Sequence, residues 1–552
     1  MPGDHLFDGL TPAQRHAVAV DAQPLAILAG AGSGKTRVLT RRIAHRVTTA
    51  SAQAQHVLAL TFTRRAAGEL SSRLTALGIR ERVAAGTFHA VAYAQLRRRW
   101  ADHGERPPAL LEHKARLLVP LLPRSPDIGE IHPGEIAAEI EWAKARLIDP
   151  SGYERAVGAA GRRPSLPAAA VASIYERYEH EKRRRSLVDF DDLVLLCAAA
   201  LDHDREFAVA QRWRFRHLFV DEFQDVNPAQ FRLLEGWRGD RPDLCVVGDP
   251  NQAIYSWNGA DPTYLTAFGR HFPEATVVRL EENFRSSPQV VAVANAVLAG
   301  GVGTPLRAAA ADGPPPTVTN FATDRDEAEG VARALRRAHG AGRPWADLAV
   351  LTRTHAQLVL VEEALRAAAI PYRLRGSAAF LDRPEVKEVL TDLRRRPPGT
   401  ALATAIADLT EEVRAATEVE RRQNIETLLR LATDQLAVDP VANLDGFVAW
   451  LLATLRAGDY GTAGDAVDLG TFHAAKGLEW PVVFVAGLEQ GLVPIAHAES
   501  PEARAEERRL LYVAVTRAEC ELHCSWAERR TFGNRTLTRA PSPYLADVEA
   551  AV

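Results

Sequence analysis

Residues 25 to 36, LAILAGAGSGKT, set a short apolar run directly before a loop of alanine, glycine and serine that ends in lysine and threonine. Behind the loop, Val38, Leu39, Ile43 and Val47 recur at helical spacing. The stretch therefore predicts strand, tight loop and helix in immediate succession. A chain that opens this way is most simply built around a parallel sheet with helices packed on it, an α/β fold. Small residues let the backbone N–H groups of such a loop wrap a phosphate chain, and the helix N-terminus adds donors and partial positive charge. Ala29, Gly30, Ala31, Gly32, Ser33 and Gly34 would form the cradle, Lys35 would lie along the β- and γ-phosphates, and Thr36 would ligate magnesium. Ala29 stands where glycine is usual in G-x-x-x-x-G-K-[ST], which is tolerated where φ stays negative. The bland alternative is a glycine turn that binds nothing.

A phosphate loop needs a magnesium carboxylate and a water activator. HLFVDEFQD, residues 217 to 225, supplies both at the end of a second apolar strand. Asp221 falls at the strand's C-terminal end, where open α/β sheets bind ligands, and can hold the metal through water. Glu222 can orient and deprotonate the attacking water, which favours hydrolysis over nucleotide storage.

The remaining composition narrows the class. At 552 residues the chain is too long for one core, and 47% apolar with 25% charged residues reads as globular. No run of about 18 apolar residues predicts a membrane span, and MPGDHLFDGL lacks an export signal, so the expected compartment is the cytoplasm. Four cysteines are too few for a disulfide scaffold. Cys520, His523 and Cys524 in CELHC alternate like a strand, so packing is expected there rather than a metal. A net charge of −3 does not exclude nucleic acid, because arginines gather locally in KRRRS (182 to 186) and RRRPPG (394 to 399).

Aromatics with no obvious core role follow several apolar runs. In VVGDPNQAIYSWNGAD, residues 246 to 261, Tyr255 and Trp257 come straight after a Gly-Asp-Pro turn. Single strands are held by such rings and by backbone contacts. The candidates are Phe62, Phe88, His89, Tyr255 and Trp257, with Thr471 and His473. For each ring, ordinary core is the alternative.

Read in order, AGAGSGKT, TFTRRAAGEL, GTFHA, DFDDL, VDEFQD, VGDPNQAIYSWNGA, LEENFRSS, TFHAAKGLEW and EERRLLYVAVTRA resemble the successive motifs of UvrD/Rep/PcrA-type superfamily 1A helicases, from about residue 10 to about 545. WNGA and the Ala/Arg-rich composition are similar to an actinobacterial UvrD paralogue. The resemblance implies that Gln14 reads the adenine edge, that Arg37 lies near the base and that Phe284 stacks on it, in place of the tyrosine of many relatives. It also implies that Arg285 and Arg517 reach the γ-phosphate from opposite sides, that Glu479 contacts the ribose or nucleotide edge, and that Gln252 senses the γ-phosphate. A helix-facing salt bridge is the alternative for Glu479. Two positions depart from the pattern: Asn258 stands where arginine is usual, and Arg64 where asparagine is usual.

By the same resemblance, two RecA-like parallel-sheet motor domains carry helical insertions. Residues 1–90 and 188–290 would form 1A, 91–187 the insertion 1B, 291–396 and 466–552 the domain 2A, and 397–465 a reduced insertion 2B. The implied activity is an ATP- and magnesium-dependent 3′ to 5′ helicase or translocase on single-stranded DNA and single/double-strand junctions, in repair or replication, with a repair protein or a second copy as partner. The alternatives are an ATPase that remodels proteins on DNA, a motor subunit of a helicase–nuclease assembly, and an RNA motor.

Overall fold

The computed structural model describes residues 4–81, 83–111, 114–123, 133–298, 305–340, 342–375, 384–397, 399–415, 442–455, 464–532 and 535–551, with isolated positions between 425 and 436. Two six-stranded sheets, each parallel throughout, organise these residues. The first holds β1 (Leu25–Ala29), β2 (Val57–Thr61), β3 (Ala84–Thr87), β4 (His217–Val220), β5 (Leu244–Gly248) and β6 (Thr276–Leu280), in the order β3-β2-β4-β5-β1-β6. The second holds β7 (Thr317–Phe321), β8 (Leu348–Thr352), β9 (Tyr372–Leu374), β10 (Val467–Thr471), β11 (Trp480–Val485) and β12 (Ala518–Ala527), in the order β7-β12-β11-β8-β10-β9. The chain thus adopts the expected α/β class with two parallel-sheet cores.

Strand periodicity explains the layers. Successive side chains point to opposite faces, so Ala26, Leu58, Leu60, Leu218, Val220 and Val246 enter one apolar cluster. Ile27, Val57, Ala59, Phe219 and Val247 enter another on the opposite face. Strands buried on both faces read as continuous apolar runs, as VLALT and LCVVG do.

Between β3 and β4, helices Pro133–Ala145, Tyr153–Ala159 and Ala168–Arg184 pack around Ile136, Ile140, Trp142, Tyr153 and Tyr178. A buried ionic knot fastens them to the first sheet's unit. Lys144 and Lys182 lie 2.7 and 2.9 Å from Asp189 Oδ2, and Asp192 and Glu179 complete the knot. Asp189 also caps helix Phe190–His203. Glu179, Asp189 and Asp192 are close enough together for a metal ion, but the two ammonium groups already occupy the space between them. The DFDDL motif is therefore a fastening point, since buried carboxylates are tolerated only when paired.

Two expected boundaries shift. Helix Pro384–Arg394, assigned by sequence to the second α/β unit, instead packs through Val386, Val389, Leu390 and Leu393 against Leu402, Phe447 and Leu451 of helices Leu402–Ala415 and Leu444–Leu455. Helix Pro288–Val297 begins before residue 291 and buries Val290, Val293 and Val297 in the second unit's cluster. In both cases tertiary burial of an apolar face decides membership. The expected start near Gly300 and most of ETLLRLATDQL (426 to 436) lie outside the described residues. Among the described residues no helix is long and apolar enough to cross a membrane. In β12, Cys524 is buried and His523 stacks on Phe484 while meeting Thr317 Oγ1 at 2.7 Å.

Candidate nucleotide and strand site

The candidate residues gather at the C-terminal edges of the two sheets. Across the first, Ala26 aligns with Val246 and Val246 with Val220, so the loop leaves β1 about two residues beyond the level of Asp221. Gly34, at φ +78°, starts helix Lys35–Thr48 with no side-chain cap. The N–H groups of that first turn are thus presented to the loop side, an arrangement suited to an anion. Gly32 is also left-handed, at φ +67°, and a Cβ there would lie 2.7 Å from Asn283.

Asn283 fixes that approach. Its Nδ2 donates to the Ala31 carbonyl at 2.8 Å, and its Oδ1 accepts from Arg285 N at 2.9 Å and Ser286 N at 2.7 Å. Asn283 stands within ENFRSS, but an amide between a glutamate and an aromatic gives no signal in the sequence until its partners are known. Phe284 follows with its ring 44% exposed and its backbone N–H on the Gly32 carbonyl, so a flat apolar face borders the loop. Gln14 donates to the Ser33 carbonyl at 3.0 Å and accepts from Thr11 N at 3.1 Å. In this conformation it braces the loop, and its amide edge does not stand open. Arg37 turns outward to the Asp8 carbonyl.

Thr36 Oγ1 lies 3.4 Å from Asp221 Oδ2. Glu222 sits at φ +52°, a left-handed conformation costly for a glutamate. Two groups hold it there: its N–H donates to Asp221 Oδ1 at 3.0 Å, and Gln224 Nε2 donates to its carboxylate at 2.5 Å. Burial and the neighbouring Glu222 push the Asp221 carboxyl up to about 7, against the pull of Lys35. Burial also opposes charge on Glu222, but Lys35, Lys476 and the Gln224 amide outweigh it and hold that carboxyl down to about 2. The same surroundings thus favour charge on Glu222 more than on Asp221, as a base requires.

At the cleft, Arg285 pairs with Glu479 of the second unit and reaches the Thr516 carbonyl at 3.4 Å. Arg517 is buried and donates to Val513 O, Leu478 O and Thr516 Oγ1. Burial first, and the adjacent Arg285 second, lower its guanidinium to about 9. Both arginines thus stand together at the cleft, satisfied by the second unit's own groups, and Glu479 serves as the partner of Arg285. Gln252 is buried and donates to Asp249 Oδ2 at 2.7 Å. Lys476, which the sequence reading left unassigned inside TFHAAKG, bridges the units through Asp225 at 2.5 Å and the Gln252 carbonyl at 2.7 Å, with its ammonium over the Tyr255 ring.

The strand-side candidates divide. Trp257 is 53% exposed and meets His473 edge-on at 6.3 Å, and Tyr255 lies 6.4 Å from the same ring. Gly259, at φ +98°, lets this stretch abut the helical insertion, where a Cβ would come 2.7 Å from that of Ala145. Asn258 is exposed, Phe62 is half-buried, and Arg64 opens helix Arg64–Ala76. His89 is half-buried and stacks on Phe190 at 4.2 Å. Two expectations are corrected. Phe88, expected as a stacking platform, is 1% exposed and packs on Trp237 and Phe62, because the helix it begins turns the ring into the core. Thr471 is buried, and its hydroxyl accepts from Ala474 N, closing its own turn.

The chain is 42% identical to the ATP-dependent DNA helicase UvrD2 of Mycobacterium tuberculosis over 581 residues, 98% of this chain and 82% of that protein. It is 30% identical to the ATP-dependent DNA helicase PcrA of Bacillus subtilis, over 99% and 86% of the two chains. The same identity and coverage hold for UvrD1 of Mycobacterium tuberculosis. Residues 10–273 match the UvrD/REP helicase N-terminal domain, and residues 278–395 and 400–529 the UvrD-like helicase C-terminal domain. With those two domains in order along most of its length, the chain belongs to the UvrD/REP helicase family.

Proposed function

We infer that this protein is an ATP-dependent DNA helicase that moves 3′ to 5′ along single-stranded DNA, in the cytoplasm and in the service of repair or replication. The observation that carries this reading is the convergence of the phosphate loop, Glu222, Arg285 and Arg517, one strand-end away from an exposed Trp257. Family membership supports the activity, and polarity rests on resemblance alone.

Lys35 would lie along the phosphates, with loop N–H groups around them. Thr36 and Asp221, already within reach of each other, would hold magnesium, which when bound neutralises phosphate charge. Glu222, fixed by Gln224, would take a proton from water. Arg285 would leave Glu479 and, with Arg517, meet charge developing on the transferred phosphoryl group. Phe284 would cover the base. The division into two motor units with insertions 1B and 2B belongs to the same proposal, with the boundaries moved so that Pro288–Val297 joins the second unit and Pro384–Arg394 the small insertion.

A second reading, a DNA-stimulated ATPase that displaces proteins and unwinds poorly, is favoured by the short length of the insertion, residues 397–465. ATP turnover with and without single-stranded DNA, beside unwinding of duplexes tailed 3′ or 5′, separates the two. Stimulation with unwinding of the 3′-tailed duplex is expected. Stimulation without unwinding would favour the remodeller, and turnover indifferent to DNA would sink both.

A further inference from the structure

Helix Pro501–Val515 belongs to the second unit, yet it grips the first at two places. Arg509 Nε donates to the Ala253 carbonyl at 2.8 Å, and Glu506 Oε1 accepts from Ser256 N at 3.0 Å. A turn further on, the Tyr512 hydroxyl accepts from Ala31 N of the phosphate loop at 3.4 Å. Arg517 lies just past the helix end. Between the two grips, Ile254 is fully buried in the apolar cluster that contains Leu510, Leu511 and Tyr512. Residues 253 to 256 continue the first unit's chain from β5, but the Ala253 carbonyl, the Ser256 N–H and the Ile254 side chain are all held by this helix or its cluster. At 1.5 Å per residue, Glu506 and Arg517 stand only ~16 Å apart on one rigid element.

We propose that helix Pro501–Val515 is the rod that couples nucleotide to strand, with Glu506 and Arg509 as positioning residues that fasten the Tyr255–Trp257 stretch to the element bearing Arg517. Movement of Arg517 toward a phosphate then carries the two rings with it as one body. Gln252 would report the nucleotide from the first unit's side; the rod supplies a second connection that does not pass through Gln252. The inference rests on the motor reading above.

The test is the factor by which a non-hydrolysable ATP analogue changes affinity for an oligo-dT strand, measured by fluorescence anisotropy, beside the stimulation of ATP turnover by the same strand. Linkage makes the binding factor reciprocal between the two sites. Arg509→Ala is expected to reduce that factor at least about fivefold, the low end of ordinary coupling between sites, while affinity without nucleotide stays near that of the parent protein. Glu506→Ala, which removes only the acceptor at Ser256, should move the factor in the same direction and serves if Arg509→Ala does not fold. Arg509→Lys and Glu506→Gln keep a donor and an acceptor and should restore most of it. An unchanged factor in both alanine variants overturns the rod, as does an equal loss of affinity with and without the analogue. A parent protein showing neither stimulation nor a nucleotide-dependent affinity would overturn the motor reading itself.

Discussion

The nucleotide side and the strand side of the cleft use the same strand ends, yet they are built differently. On the nucleotide side each group is held by near neighbours: Gly34 leads the helix bearing Lys35 and Thr36, and Glu222 is pinned by Asp221 and Gln224. On the strand side the exposed ring of Trp257 faces His473 from the other sheet, and Tyr255 lies under Lys476 from that same sheet. A site fixed within one unit keeps its shape as the units move. A site assembled across two units changes whenever the cleft does, which is what a motor needs of its grip.

The sharpest break of this comparison is at two rings the sequence treats alike. Phe88→Ala should cost about 3–5 kcal/mol of stability, the usual range for a buried phenylalanine, read by denaturant unfolding. A loss confined to DNA binding would return Phe88 to the strand. Glu222→Gln should slow ATP turnover by at least ~100-fold while nucleotide binding persists, the low end of general-base catalysis; near-normal turnover would remove it as the base. Trp257→Ala, with half its surface already in solvent, should leave unfolding nearly unchanged and weaken single-strand binding by ~1–3 kcal/mol if a base stacks there. Unaltered affinity would place the grip elsewhere. Asn258→Arg should steepen the dependence of single-strand binding on salt by roughly 0.7 in the log–log slope, the contribution of one phosphate contact. An identical slope would mean that this exposed position faces away from the strand.

Protonation sharpens the same contrast. Burial first, then Arg353 and Lys476, lower His473 from 6.5 to about 4, so its ring is neutral at physiological pH. The unfolded chain binds that proton near 6.5, and the folded chain only near 4. The stability His473 contributes is therefore complete above about 6.5 and lost as pH falls toward 4. Tm of His473→Gln should accordingly vary less between pH 7 and pH 5 than that of the parent; parallel curves would mean that the folded ring protonates normally.

Much of the nucleotide side was legible from the chain, because its chemistry lies in short runs. LAILAGAGSGKT implies strand, loop and helix, and HLFVDEFQD implies a carboxylate pair at a strand end, wherever the rest of the protein goes. The continuous apolar runs VLALT and LCVVG fit strands covered on both faces of a parallel sheet. Phe88 and Thr471 misled because burial at a strand end depends on what packs above it. Trp237 covers the one, and a single turn's geometry turns the other inward. Gln14 bracing Ser33, Asn283 filling the space beside Gly32, Lys476 reaching Asp225, and Pro384–Arg394 joining the small bundle are contacts between distant parts of the chain. Local spacing determined the fold class and the chemical kind of each group. Only the tertiary structure decided which groups face each other, because an unpaired buried amide or charge costs more than local propensity supplies, and its partner comes from wherever the packed sheets bring one.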